Sequence, residues 1–313
     1  VIPIGAVTKN LEGKQLAELG AMADSCARVR IFSDDGKCVS DPLLMRRALE
    51  YVKAFGGVIA QHAQDPALTQ GAQMNESELS SRLGLRGWPS VAEEAIIARD
   101  VLLAQHVGSK VHICHVSTKG SVEIIRRAKE SGIDVTAEVT PHHLLLNEAL
   151  VVNYDPVFKV NPPLRSEEDV AALRVGLQEG IIDIVATDHA PHPIESKDCE
   201  WQAAAFGMVG LETALSIVYT AMVKTGLISF ARLADAMSIL PAHIGQLAHH
   251  GRPIAVGEPA NLTLFDPHST YVVDKFDTLS KSTNNPFDGL TLHGNVVMTL
   301  LRGKVTFRSG DVT

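Results

Sequence analysis

Cysteine is scarce in this 313-residue sequence: Cys26, Cys38, Cys114 and Cys199 are the only four, and no two have CxxC spacing. A disulfide framework or a thiolate metal knot is thereby excluded as the organising feature, and reduced thiols in a cytoplasm are expected. Positive charge is short as well. Lys and Arg total 28 against 36 Asp and Glu, the net charge is -8, and aromatic residues make up only 5%. With no basic stripe to neutralise a phosphate backbone and few rings to stack on bases, nucleic acid is excluded as a partner. Long apolar runs are missing too. The longest candidate, around 211–228, is interrupted by Glu212 and Lys224, so it cannot span a bilayer and no membrane partner is expected. No signal-like charged and apolar regions open the chain, and neither GxGxxG nor GxxxxGK[ST] follows any strand-like run.

What is present is apolar content and its rhythm. Hydrophobic residues make up 45%, enough for one large domain plus a smaller module. Short runs rich in β-branched residues predict strands over 1–7, 27–32, 57–61, 111–115, 134–139 and 181–187. Helix-compatible stretches lie between them at 41–55, 90–107, 121–131 and 166–178; in the last, Ser166 can cap and Glu168 can favour the positive end of the dipole. Such alternation is the signature of parallel βαβ units covered on both faces. The strands make six units, whereas a (β/α)8 barrel has eight. Val1 is not Met, and VIPIGAVT reads as a strand in mid-fold, so the expected fold is an α/β barrel of TIM type, incomplete at its N-terminus. A doubly wound open sheet satisfies the same pattern. Beyond residue 250, glycine-punctuated short strands without helices (GRPIAVGEPANLTLFDP, VVMTLLRGKVTFRSG) read as a small β module. The expected division is a barrel over 1–250 and a β module with its tail over 251–313. The stretch 65–89 is long for a connection and poor in periodic apolar residues, which predicts a surface excursion near the site.

The chemistry lies where ionisable residues meet strand ends. VRIFSDDG ends with Asp34 and Asp35 before Gly36, GGVIAQH with His62, VHICH with His115, and IIDIVATDH with Asp188 and His189. Four apolar strands each deliver a His or Asp at the carboxyl end, the face on which barrel enzymes build their sites. Imidazoles and carboxylates without thiolate suit zinc or another borderline divalent ion. Taken singly, each residue also has a structural reading: a hydrogen-bonded His at a strand end, a turn for Asp34 and Asp35, a helix cap for Asp188. Four coincidences on one face favour the functional one. His142 and His143, after Pro141 in EVTPHHLLL, read as the start of a helix whose leucines pack inward. Cys114 and His115 are neighbours on a strand and point to opposite faces, so they do not make a nucleophile pair.

At these residues the sequence resembles the dihydroorotase family of the amidohydrolase superfamily, in its bacterial class I form. The segments FSDDG, IAQHAQDP, MNESELSSRLGLRGWP, HICHVSTKGSV, VTAEVTPHHLLL, KVNPPLR, ATDHAPH and GLETALS follow the family's order over nearly the whole chain. The resemblance implies an amidohydrolase barrel with zinc at its mouth, one or two ions. Asp35 matches the bridging position, with Asp34 a close second, His62 and His115 the histidine ligands, and Asp188 the aspartate ligand. Asn161, His192 and the backbone near Gly207 match the substrate-binding positions. The implied reaction is the reversible closure of N-carbamoyl-L-aspartate to L-dihydroorotate in pyrimidine synthesis. A hydroxide generated at the metal would attack, with Asp188 as general acid and base.

Two departures stand out. The family's HxHxR segment, which supplies two ligands and a substrate-binding arginine, has no counterpart in these residues, and Gln64 occupies a position where the family usually has Glu. The chain as given is therefore expected to be impaired. Two alternative readings stand beside the first. One is a hydantoinase, dihydropyrimidinase or allantoinase, although those relatives usually bridge with a carbamylated lysine and FSDDG offers only aspartates. The other is a catalytically silent scaffold for a transcarbamoylase. Expected partners are the small-molecule substrate and either further copies of the chain or aspartate transcarbamoylase.

Overall fold

The computed structural model describes residues 1–310; residues 311–313, the end of the expected C-terminal module, lie outside the described residues. In chain order the helices are α1 (Leu19–Asp24), α2 (Pro42–Lys53), α3 (Glu78–Leu83), α4 (Val91–Val107), α5 (Lys119–Glu130), α6 (Pro141–Leu145), α7 (Glu167–Glu179), α8 (Ala214–Val218), α9 (Phe230–Ala234) and α10 (Leu240–Ile244). The strands are β1 (Ile31–Phe32), β2 (Val58–Gln61), β3 (Met74–Asn75), β4 (Gly87–Trp88), β5 (Val111–Ile113), β6 (Val135–Val139), β7 (Ile184–Val185), β8 (Leu262–Val272), β9 (Thr291–Leu301) and β10 (Lys304–Arg308).

β1, β2, β5, β6 and β7 form one sheet in that spatial order, every pair parallel. A doubly wound sheet reverses its strand order at a switch point. Here each strand adds beside its predecessor in sequence order, with a helix between, which is the winding of a barrel wall.

The helices expected at 41–55, 90–107, 121–131 and 166–178 are α2, α4, α5 and α7, each bounded by local chemistry. Asp41 caps the amide of Leu44 with Pro42 in the first turn, and Met45, Ala48, Leu49 and Val52 bury one face of α2. Thr118 caps α5 through Ser121. Ser166 and Asp169 form a reciprocal capping box on α7, which Gly180 ends in the left-handed conformation. β2 is buried at all four positions, as a strand covered on both faces must be.

Two expectations need correction. Residues 1–7 do not form a strand; the segment makes one parallel bridge, Gly5 to Phe32. Its next amides, Val7 and Thr8, donate to the Asp34 carboxylate, which diverts them from a strand ladder. The stretch 65–89 is not a loose surface excursion. β3 and β4 pair in parallel around α3, and Met74, Asn75 and Trp88 are buried. Ser77 and Gly84 start and stop α3, and the apolar cover comes from elsewhere, since Met74 and Leu85 cluster with Val151 and Trp201. Sparse local periodicity concealed a core shared with distant segments.

β8, β9 and β10 form an antiparallel sheet. It docks on the barrel wall through Leu146, Val160, Leu164, Met208, Ile217, Val273, Phe287 and Leu292. Among the described residues no helix is long and apolar enough to cross a membrane.

Candidate metal centre

Parallel strands that run alike end alike, so side chains just beyond their carboxyl ends share one mouth. His62 directly follows β2, His115 lies just beyond β5, and Asp35 and Asp188 follow β1 and β7 by three residues each. Asp35, His62 and His115 bring one ligand atom each within 4.8 Å of one another. His62 Nδ1 lies 2.9 Å from His115 Nε2, and Asp35 Oδ1 lies 3.2 Å from both. Both imidazoles are buried, whereas the Asp35 side chain is 50% exposed.

The second nitrogen of His62 fixes which tautomer faces this cluster. His62 Nε2 is 2.7 Å from the Gln64 Oε1 carbonyl, which only accepts, so Nε2 carries the proton and Nδ1 presents its lone pair. Two nitrogen lone pairs and a carboxylate oxygen cannot crowd together without a shared cation. A shared proton or a metal ion fills that role. Burial alone would raise the Asp35 carboxyl, but its contacts with His115 and His62 outweigh it and hold the group far below the usual carboxylate range. Burial opposes charge on His115, yet the Asp35 hydrogen bond and the carboxylates of Asp35, Asp188 and Glu138 push it up to about 9. A divalent ion would take the place of that proton, and three N and O donors are the complement a catalytic zinc ordinarily keeps.

Asp34 is absent from this group. It is 2% exposed and faces the other way, its Oδ1 accepting from the amides of Val7 and Thr8 at 2.9 Å each and its Oδ2 from the Thr8 hydroxyl. Asp188 stands within electrostatic reach of all three clustered residues; burial raises its carboxyl to about 6, with His115 and His62 lowering it and Asp35 and Glu138 raising it. His115 and Asp188 both hold positive φ, 33° and 47°, a conformation costly for residues with a Cβ and concentrated at functional sites.

Asn161 joins the cluster through Gln64: its Nδ2 donates to Gln64 Oε1 at 3.0 Å and lies 3.4 Å from His62 Nε2. Its Oδ1 is buried and has no partner among the described residues, an acceptor free to take a donor. His192 and Gly207 pack on each other instead. His192 Nε2 donates to Phe206 O at 2.8 Å, and a Cβ on Gly207, whose φ is +131°, would fall 2.7 Å from that ring nitrogen. The Gly207 amide donates to Lys159 O, and its carbonyl accepts from Lys197 and Asn284. Both backbone groups of Gly207 are engaged inside the protein, and its lack of a side chain leaves room for the His192 ring.

His142 and His143 begin α6 and are 1% exposed. Burial pulls both toward the neutral form, His143 to about 3. Burial also pushes the Cys114 thiol far up, which leaves no thiolate nucleophile beside His115. Sequence reasoning passed over Glu138, which accepts from the His115 amide at 3.4 Å and sits 3.0 Å from His112 Nε2. The signal was there: VTAEV alternates, so Thr136 and Glu138 share the face opposite Val135, Ala137 and Val139. Gln64, read from sequence as a lost carboxylate, still accepts from His62 through its amide oxygen and holds Thr69 Oγ1 at 2.8 Å.

A family model described as dihydro-orotase-like matches residues 1–121. The dihydroorotase of Leifsonia xyli subsp. xyli is 66% identical over 312 residues, covering 100% of this chain and 71% of that protein. That of Streptomyces coelicolor is 66% identical over 313 residues, covering 100% and 73%; that of Mycobacterium tuberculosis is 55% identical over 312 residues, covering 100% and 73%. Among solved structures, the L-hydantoinase (dihydropyrimidinase) of Arthrobacter aurescens aligns with a TM-score of 0.85 at 29% identity, covering 99% of this chain and 70% of that one. The dihydropyrimidinase of Brevibacillus agri aligns at 0.83 and 23% identity, covering 95% and 67%, a likeness of fold alone.

Proposed function

The chain belongs to the dihydroorotase-like family of TIM-barrel amidohydrolases, and on that premise we propose that it interconverts N-carbamoyl-L-aspartate and L-dihydroorotate in pyrimidine biosynthesis, with Asp35, His62 and His115 holding a zinc ion. The observation that carries this reading is the convergence of Asp35 Oδ1, His62 Nδ1 and His115 Nε2 at one strand-end mouth. When bound, such an ion supplies Lewis acidity toward the ring amide and lowers the pKa of water.

The remaining work falls to the chain. In the hydrolytic direction water adds to the ring carbonyl, and the proton it loses passes to the Asp188 carboxylate. Asp188 delivers that proton to the ring nitrogen as the C–N bond breaks, and closure runs the same path in reverse. A carboxyl raised to about 6 exchanges a proton near neutrality at little cost. Asn161 Oδ1, buried and unpartnered, accepts a ureide N–H, and His192 orients the substrate from the facing segment. Four free cysteines fit a cytoplasmic setting.

The test is metal content and dihydroorotate hydrolysis of the intact protein beside its His115→Ala variant. Loss of bound zinc together with turnover is expected. Unchanged metal stoichiometry would remove His115 from the ligand set, and faster turnover of dihydrouracil than of dihydroorotate would favour the hydantoinase reading.

A further inference from the structure

The loop from 194 to 207 is held by a lysine that meets no carboxylate among its hydrogen-bond partners. Lys197 follows the short turn Ile194–Ser196 and is 7% exposed. Its Nζ donates to the carbonyls of Lys159 at 3.1 Å, Ala205 at 2.9 Å and Gly207 at 2.9 Å. Three N–H bonds meet three carbonyls, which satisfies the ammonium completely.

The partners reveal what the cation organises. Lys159 lies two residues before Asn161, and its carbonyl also takes the Gly207 amide. Ala205 and Gly207 flank Phe206, whose carbonyl takes His192 Nε2. Asn284 reinforces the same junction, its Nδ2 donating to Ala190 O and Gly207 O while its Oδ1 accepts from the His192 amide. Lys159 Nζ in turn donates to Trp201 O and Gln202 O and sits 4.5 Å from the Phe206 ring centroid. None of the three carbonyls on Lys197 belongs to Asp35, His62, His115 or Asp188.

We propose that Lys197 is a positioning residue of the substrate face, its buried ammonium tying the backbone that presents Asn161 to the backbone that presents His192. Its role rests on Asn161 and His192 being the substrate's contacts. Removing the cation leaves converging carbonyl dipoles with nothing between them, so the two segments separate while the metal ligands stay in place. The group is also adjustable: burial foremost, then the charge of Lys159, pulls Lys197 down to about 8, against Asp155 and Cys199, which raise it. Once deprotonated, the amine has two N–H bonds for three carbonyls.

The experiment compares the intact protein with Lys197→Met and Asn161→Ala, reading KM and kcat for dihydroorotate against pH together with bound metal per chain. For Lys197→Met, KM should rise about tenfold or more, as misplacement of a binding group allows, with kcat changed far less and metal content unchanged. The wild-type KM should climb as pH passes about 8, a rise the variant lacks. An unchanged KM in Lys197→Met alongside a raised KM in Asn161→Ala overturns the role of Lys197 alone. An unchanged KM in Asn161→Ala overturns the substrate assignment and this role with it. Loss of metal together with KM would make Lys197 a general fold residue. If Lys197→Met does not fold, Lys197→Gln, which keeps two N–H donors without the charge, is read in the same way: an unchanged KM overturns the inference.

Discussion

Asp34 and Asp35 are neighbours on one strand end with opposite duties, and exchanging their side chains in turn should separate fold from metal. Asp34 is 2% exposed and accepts three hydrogen bonds, two from the main-chain amides of Val7 and Thr8, both fully buried residues. In Asp34→Ala those amides lose their only acceptor without gaining water. Each buried unsatisfied group costs about 1 to 3 kcal/mol, so the two amides should cost the variant roughly 2 to 6 kcal/mol, a large part of the ~5 to 15 kcal/mol that holds a domain together. The Asp35 side chain is 50% exposed, and its partners are His62 and His115. Solvent screening limits what that contact gives the fold, so Asp35→Asn in the metal-free state should cost under about 1 kcal/mol. Its effect falls on the ion instead. Four-ligand zinc sites bind with about 10 to 16 kcal/mol, so each ligand carries roughly 3 kcal/mol, about a hundredfold in affinity. Urea unfolding in chelator and competition titration with a zinc chelator measure the two quantities separately. Wild-type stability in Asp34→Ala, or wild-type zinc affinity in Asp35→Asn, would refute the division of labour between them.

Two further outcomes are expected. In Gly207→Ala the new Cβ would fall 2.7 Å from His192 Nε2 and 2.8 Å from Ala190 Cβ at a φ of +131°; strain of about 1 to 3 kcal/mol should lower the melting temperature and raise KM, and a variant with unchanged KM would show that His192 does not set substrate affinity. Asp100 is fully buried, and burial foremost raises it from 3.8 to about 6 against Arg99 and Gln61. Its folded pKa lies above its unfolded one, so its contribution is fully present below pH 3.8 and lost as pH rises through about 6. The shift corresponds to about 3 kcal/mol. Unfolding free energy measured across that window should fall with rising pH in the wild type and less steeply in Asp100→Asn, and equal slopes would assign the dependence to other groups.

The convergence of Asp35, His62 and His115 was legible because its grammar is local. An apolar strand followed by His or Asp marks the mouth, and a capping Ser, Thr or Asp with a following Gly marks the helices that force the strands parallel. Asp34 and Asp35 defeated that grammar, since both follow β1 and only the partner tells them apart. That partner is Thr8, 26 residues away. The same distance effect hid the course of residues 1–8, where the Val7 and Thr8 amides turn to Asp34 instead of a strand, and the 65–89 core, whose apolar cover comes from Val151 and Trp201.

The substrate half was less legible for a reason that lies in the chemistry of its supports. Lys197 stands in IESKDCE, a polar run, and lysine in such a run is ordinarily solvated. It can be buried here because three carbonyl oxygens converge on it, and every residue carries a carbonyl, so sequence holds no sign of which ones will. Gly207 is similar: the lack of a side chain matters only because His192 passes over it. A pattern of side chains can therefore reveal where a metal cluster can form at the mouth of this barrel, whereas the proposed substrate face is set by backbone groups, and only the folded backbone discloses it.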